Sequence, residues 1–309
     1  MLRHTTCRIL PNDANTTLLD FLTRRFNYLT RDAWLERIRA GRLRVNGLPA
    51  EPGLLLVAGA ALCHDTSDIP EPPVDTRIKI LHDTPDFLVI NKSGNLPIHP
   101  AGRYFNNTLW ALLKRDYNIP NPLFINRLDR ETSGVVLIAK THESARRAGL
   151  AMMRHQIAKT YLALVFGWPE QDEWECREPI IRRGEVEESP VYLERTVHIL
   201  GASAHTRSRV VSRETCERGR YACVQAEPLT GRTHQIRVHL AHAGYPVIGD
   251  KIYARGSQHY LDFIAHGWTH RHAETLWLPR HALHCCQMQM EEFCWQSPLP
   301  LDMRIMNSE

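Results

Sequence analysis

The sequence has no apolar run approaching the ~18 to 20 residues that a helical membrane span needs, no Cys-X-X-Cys pair, no internal repeat and no strong charge of either sign. The first absence excludes a helical membrane protein. The opening MLRHTTCRILPND also lacks the apolar stretch of a signal peptide, so a cytoplasmic chain is expected. The eight cysteines (Cys7, Cys63, Cys176, Cys216, Cys223, Cys285, Cys286 and Cys294) are scattered rather than paired. That excludes a disulfide framework and the common zinc and dithiol motifs, and leaves reduced thiols. With 43% hydrophobic and 23% charged residues over 309 positions, disorder, collagen and coiled coil are excluded too.

Charge is informative by its placement. Residues 1–64 hold nine Arg and five acids, and the remaining 245 residues balance 29 bases against 29 acids. A basic module beside a neutral body suits a phosphate-tracking anchor on a catalytic domain, and suits equally a solvated basic face with no partner. Histidine is abundant at 17 residues, and His266, His270 and His272 cluster in HGWTHRH. No carboxylate or thiolate stands there at ligand spacing, so the segment reads as a polar insertion.

Leu18, Leu19, Leu22 and Phe26 recur at helical spacing, as do Trp34, Leu35 and Ile38 before Gly41. Leu43 and Val45 then alternate with arginines up to an Asn46-Gly47 turn, and an apolar run returns from Leu54 to Leu62. Helix, helix, small sheet is the expected order. Residues 65–75, DTSDIPEPPVD, have three prolines and four acids with little to bury, and read as a linker. Beyond it, RIKILH, DFLVINK, GVVLIAK, KTYLALVFG and YACVQAEPL read as strands, while NTLWALLKRD, HESARRAGLAMMRHQ and RTHQIRVHLAHAG read as helices. Strands outnumber helices without regular alternation. The expected class is α+β, a mixed, largely antiparallel sheet with flanking helices over residues 76–309, plus a small N-terminal α+β domain over 1–64.

Residues 15–64, with Arg31, Arg37 and Arg39 on the second helix and Arg42 and Arg44 beside the Asn-Gly turn, resemble the small RNA-binding module first seen in a ribosomal small-subunit protein, the S-four type. They depart from it at Gly59-Ala60, where such modules carry Gly-Asp. The resemblance implies that these five arginines contact RNA.

FINRLDRETSGVVLIAK, residues 124–140, sets Asp129 between Arg127 and Arg130 ahead of a strand. Fixed cations keep a carboxylate ionised and available as a nucleophile, although an Arg-Asp pair at a strand start is also a common surface feature. RLDRETSG resembles the signature of the large-subunit (RluA-type) pseudouridine synthases, in which that aspartate is catalytic. VINKSGNLPIHPAG (89–102), KTYLALVFG (159–167), TGRTHQIRVHLAHAGYPVIGDKIYA (230–254) and PRHALHC (279–285) match in the family's order. Two departures are Asn126, where the family has His, and Ser93-Gly94-Asn95, where it has Pro-Ala-Gly.

The resemblance implies a pseudouridine synthase fold and an RNA isomerase acting on ribosomal or transfer RNA without metal or cofactor, and a monomer is expected. Asp129 would be the nucleophile. Tyr161 would stack on the uracil and relay a proton, against the plain reading of a strand tyrosine in the core. Arg237 would oppose Asp129, against a phosphate-binding role shared with Arg232, His234 and His239. Arg127 would fill the hole left by the flipped base, Leu283 would wall the pocket, and Asn126, Arg130, Thr132, Arg232 and His234 would lie against the substrate. A zinc site from His234, His239 and His242 is the rival, and it lacks a fourth ligand. The competing function is a catalytically silent RNA-binding or ribosome-assembly factor of the same fold, which would have no need for Arg127, Asp129, Tyr161 and Arg237 together.

Overall fold

The computed structural model describes residues 4–26 and 28–304. Residues 1–3 and 27 of the expected N-terminal domain, and 305–309 at the other end, lie outside the described residues. The chain opens with a strand that the pattern does not announce, β1 (His4–Arg8). It is followed by α1 (Leu18–Arg25) and α2 (Arg31–Arg39). Each helix starts at a threonine, Thr17 or Thr30, whose hydroxyl accepts the amide three residues on. That satisfies one of the donors a helix start leaves open. Next come β2 (Leu43–Val45), β3 (Leu48–Pro49) and β4 (Ala61–Asp65), and the four strands form one sheet in the order β1-β4-β2-β3. Leu18, Phe21, Leu22, Trp34, Ile38, Leu43 and Leu62 make its own core.

The apolar run from Leu54 to Leu62 is not the single returning strand expected. Leu54, Leu55 and Val57 are exposed, Leu56 turns into the core, Leu55 makes a single bridge to Thr17, and the continuous strand begins only at Ala61. Where every residue is apolar, the inward and outward positions cannot be told apart by pattern.

The linker is extended and carries no helix or strand from Thr66 to Ile78, yet it is anchored. Asp65 and Asp68 pair with Arg42 and Arg37 at 2.5 and 2.8 Å. The Glu71 carboxylate accepts the backbone amides of Phe105, Asn106 and Asn107, and Ile69 is buried.

The body runs β5 (Lys79–Asp83), β6 (Phe87–Lys92), α3 (Leu109–Asp116), β7 (Leu123–Phe124), β8 (Ser133–Ala139), α4 (His142–Met153), β9 (Ile157–Phe166) and β10 (Glu173–Cys176). It continues with β11 (Ile180–Arg182), β12 (Arg195–Val197), β13 (Thr206–Cys216), β14 (Gly219–Pro228), α5 (Gln235–His242), α6 (Gln258–His266), α7 (His270–Leu276), β15 (Leu283–Met290) and β16 (Phe293–Gln296). Ten strands form one sheet, β10-β13-β14-β9-β15-β8-β6-β5, with β16 on β15 and β7 on β8. Only β15 and β8 pair in parallel among the described strands, so the sheet is mixed and largely antiparallel.

β8, SGVVLIA, is buried at every position, as an uninterrupted apolar run in a strand covered on both faces should be. β13 begins by alternating buried and exposed positions, as a strand with one wet face does. Gly134, at φ +115°, lies where β8 meets β15 so closely that a side chain would run into the backbone of Cys285. The glycine of the RLDRETSG motif is therefore a packing requirement.

HGWTHRH is not the polar insertion expected. Trp268 stacks on His272 at 5.4 Å between ring centres, and His272 is buried with its Nε2 against the carbonyl of His259.

Candidate active site

Asp129 occupies the loop between β7 and β8, on the floor of an open pocket of 320 Å³ whose walls include Arg127, Tyr161, His234, Arg237 and Leu283. β9 supplies Tyr161, β15 supplies Leu283 and α5 supplies Arg237, so the centre of the sheet and one helix converge on the loop. Arg237 Nη1 donates to Asp129 Oδ2 at 2.9 Å. Its Nε and Nη2 donate to the two oxygens of Asp250 at 2.6 and 2.9 Å. The guanidinium is thus clamped bidentately from behind and offers one remaining edge to Asp129.

Asp250 is wholly buried and also accepts the amides of Ile252 and Tyr253. It follows Gly249, whose φ of +80° and contact with the Arg280 backbone exclude any side chain. Burial works against ionisation of Asp129, and the charges of His234 and Arg237 work for it, so its carboxyl lies below the usual range. His234 is itself held neutral, at a pKa of about 4, by burial first and then by Arg237. At neutral pH Arg237 therefore carries the stabilisation of the carboxylate.

Tyr161 is buried, and burial followed by the adjacent Cys285 pushes its phenol well above the ordinary value. The hydroxyl is protonated at neutral pH. Leu283 is 4% exposed and lines the pocket. Arg127 is exposed at the pocket wall and, among the described residues, makes no hydrogen bond or ion pair. Arg232 also lines the pocket, with its Nε on the carbonyl of Ser203.

Three expected substrate contacts have their polar groups engaged by protein, although two of them, Asn126 and Thr132, still line the pocket. The Asn126 amide donates to Val135 O and accepts from Leu137 N, so it braces the loop against β8. Thr132 Oγ1 lies 2.7 Å from His281 Nε2. Arg130 turns to Tyr104 and Glu131 and is not among the pocket walls. In each case a buried or half-buried polar group close to the backbone found a protein partner, as burial requires.

Pattern reading missed the supports. Asp250 was visible only as an acid inside an apolar stretch. Lys92, fully buried, donates to the carbonyls of Ser93, Leu96 and Arg130, pinning the loop that carries Asp129. Glu131 accepts from Lys251 and from the His281 amide behind it. A second groove, apolar and lined by His99, Phe124 and Met152 among others, adjoins the pocket through Ile125 and Met152 and has no paired charges.

The N-terminal arginines divide. Arg37 is turned inward, bonded to His64 Nε2, the Asp65 carbonyl and Asp68. Arg42 pairs with Asp65 and Arg31 with Asp20. Arg44 is exposed with one bond to the Gly47 carbonyl. Arg39 is exposed and makes no described bond. Counting charge up to residue 64 hid Asp65 and Asp68, which offset two of these cations.

Among the described residues no group of three or more His, Cys, Asp or Glu is placed to hold a metal ion. Both ring nitrogens of His239 are engaged, by Thr206 Oγ1 and the Glu178 carbonyl, and Nδ1 of His234 lies against the Tyr253 hydroxyl.

Residues 86–242 match the RNA pseudouridylate synthase family. An RNA pseudouridine synthase of Synechocystis is 30% identical over 77% of this chain and 80% of its own length. A human pseudouridylate synthase is 34% identical over 70% of this chain, which spans 38% of that longer protein. The mitochondrial tRNA pseudouridine(32) synthase of Saccharomyces cerevisiae is 31% identical over 77% of this chain and 50% of its own length. The structure of human RNA pseudouridylate synthase domain containing 1 superposes with a TM-score of 0.55 at 25% identity, covering 75% of this chain and 86% of that one. The chain belongs to the RluA-type family of RNA pseudouridine synthases, isomerases that convert uridine in RNA to pseudouridine.

Proposed function

We propose that Asp129 is the nucleophile of this isomerisation and that the substrate is a flipped-out uridine of ribosomal or transfer RNA. The supporting observation is the Asp250–Arg237–Asp129 arrangement, in which a buried guanidinium, fixed from behind, keeps one reachable carboxylate ionised. The reaction breaks the bond from uracil N1 to ribose C1′, turns the base, forms the bond from C5 to C1′, and moves the C5 proton so that N1 ends protonated. No electron is exchanged with another species, and no metal or organic cofactor is called for.

Tyr161 fits the base-stacking role, with a ring on the pocket wall. Because its hydroxyl is protonated, it can accept the C5 proton only by passing its own proton on, as a relay. Arg127, exposed and unpaired at the pocket wall, suits insertion into the gap left by the base. Arg232 suits a phosphate beside the target, and the N-terminal domain suits RNA anchoring through Arg39 and Arg44. Eight free cysteines agree with a reducing, cytoplasmic setting. We read the chain as a monomer, since the pocket is complete without a second copy.

The test uses RNA from cells lacking the protein, tritiated at uracil C5, with tritium release as the measure of turnover. Asp129→Asn is expected to bind this RNA with native affinity and release no tritium. Appreciable release by the purified variant would remove Asp129 from the nucleophile's role.

A further inference from the structure

His234 stands at the start of α5 with φ 58°, in the left-handed region that costs a side chain of its kind energy unless its surroundings hold it there. What holds it is Tyr253. The Tyr253 hydroxyl accepts the backbone amide of Arg195 at 2.9 Å and lies 2.8 Å from His234 Nδ1. With its acceptor side used by Arg195, the hydroxyl has its single proton left for Nδ1, the one other polar partner described for it. In the reverse arrangement Nδ1 would donate, the tyrosine proton would have no described acceptor, and a bare Nε2 lone pair would face the Asp129 carboxylate. The imidazole therefore carries its proton on Nε2.

That N–H lies 3.9 Å from Asp129 Oδ2, beyond hydrogen-bond reach of an oxygen already taken by Arg237. Its ring lines the catalytic pocket. Resting on the reading of this pocket as the uridine site, we infer that His234 is a fixed neutral N–H donor to an oxygen of the reacting nucleoside, its tautomer set by Tyr253. The role calls for neutrality, because a protonated imidazole 3.9 Å away would turn its N–H to the Asp129 carboxylate and away from the nucleoside. Burial and the neighbouring Arg237 provide that neutrality. A donor aimed at a uracil oxygen counts most when the detached ring is anionic, so the contact stabilises the transition state more than the bound substrate.

The arrangement separates two layers. His234 touches the nucleoside. Tyr253 is a positioning residue acting through it, and its ring also packs on Arg237 at 5.0 Å. Tyr253→Phe keeps that packing and removes the hydroxyl alone.

Tritium release from C5-tritiated RNA, and the histidine tautomer of full-length protein labelled with nitrogen-15, test the inference together. Removal of one transition-state donor by His234→Leu is expected to lower kcat by ~10² to 10³ with RNA affinity unchanged. His234→Gln, which keeps an N–H near the Nε2 position, should recover much of that loss. Tyr253→Phe should lower kcat by about tenfold, within the range expected for a lost donor partner, and change the His234 nitrogen signals from the Nε2–H form. Equal activity of His234→Gln and His234→Leu, or a proton on Nδ1 in the native protein, would overturn the inference. If Asp129→Asn stays active, the reading of the pocket fails instead. If the variants do not fold, the tautomer in the native protein still decides.

Discussion

Arg37 and Arg237 make a controlled comparison within one chain. Each lies on a helix, and each clamps an aspartate with two nitrogens: Arg37 holds Asp68 at 2.8 and 3.1 Å, and Arg237 holds Asp250 at 2.6 and 2.9 Å. The Asp68 side chain is 45% exposed and the Asp250 side chain is fully buried. The first pair is screened by water and fastens the linker to the N-terminal domain, a contact worth at most about 1 kcal/mol. The second sits where screening is weak, so the same chemistry fixes a guanidinium rigidly enough to set the charge of a neighbouring nucleophile. Burial, more than residue type, decides whether an Arg-Asp pair acts as a fastener or as part of a reaction centre.

The sharpest way to break that distinction is Asp250→Asn. It leaves a buried guanidinium with Asp129 as its one facing anion, and the cost of uncompensated buried charge is expected to be about 3 kcal/mol of stability. Arg237 should then swing onto Asp129, so kcat should fall by on the order of a hundredfold while RNA affinity holds. The equivalent Asp68→Asn should change neither kcat nor melting temperature measurably. Denaturant unfolding and tritium release on the two variants make the comparison, and similar outcomes for both would erase it.

The same contrast explains what the sequence made legible. Asp129, Tyr161, Arg237 and Leu283 were found because they lie in ordered motifs, and the structure brings them to one pocket. Asn126, Arg130 and Thr132 lie in the same region and have their polar groups taken by protein partners, although Asn126 and Thr132 also line the pocket, because motif membership carries no information about what a side chain bonds. Asp250 and Tyr253 went unread for the complementary reason: their roles consist of contacts to residues remote in sequence. β1 escaped notice since its short polar alternation gains meaning only when paired with β4. The central strands were plain because β8 and the second half of β9 carry β-branched and apolar runs that burial on both faces demands.

His64 sharpens the comparison through pH. In the N-terminal domain its Nε2 accepts from Arg37 Nε at 2.6 Å, and it is 4% exposed. Burial first, and then Arg37, lowers its pKa from 6.5 to about 4. A histidine held neutral by folding contributes stability that is present above its unfolded pKa and lost as pH falls through 6.5 toward 4. The loss should reach about 3 kcal/mol at the acid end, at 1.36 kcal/mol per unit. Protection factors of β2 and β4 amides, taken against the intrinsic exchange rate at each pH, should therefore fall between pH 6.5 and 4, and His64→Gln should flatten that dependence. His234 and His284, also near 4, give the body its own acid loss, so the substitution is what isolates the domain's share. Unchanged protection factors in the native protein across this range would show that burying a neutral His64 beside Arg37 stores no such energy.

The smallest expected effect concerns which N-terminal cations meet RNA. If the domain anchors RNA, only arginines free to leave the protein surface can release counterions, and the structure separates free from bound. Arg39 is exposed with no described bond and Arg44 is exposed with one weak tie, whereas the Arg37 side chain is 13% exposed and engaged by three groups. Each phosphate contact removed lowers the slope of log affinity against log salt by about 0.7 on a single strand or 0.9 on a duplex. Arg39→Ala and Arg44→Ala should each flatten the slope by about that amount and weaken binding a few-fold, with no change in melting. Arg37→Ala should do the opposite, leaving the slope intact while loosening the domain, because it removes the partner of His64 and Asp68. Equal slope changes for all three would mean that Arg37 abandons its internal partners on binding. The N-terminal pair would then be a reserve of charge released by RNA, and its difference from the buried Asp250 clamp would be greater than the unbound structure displays.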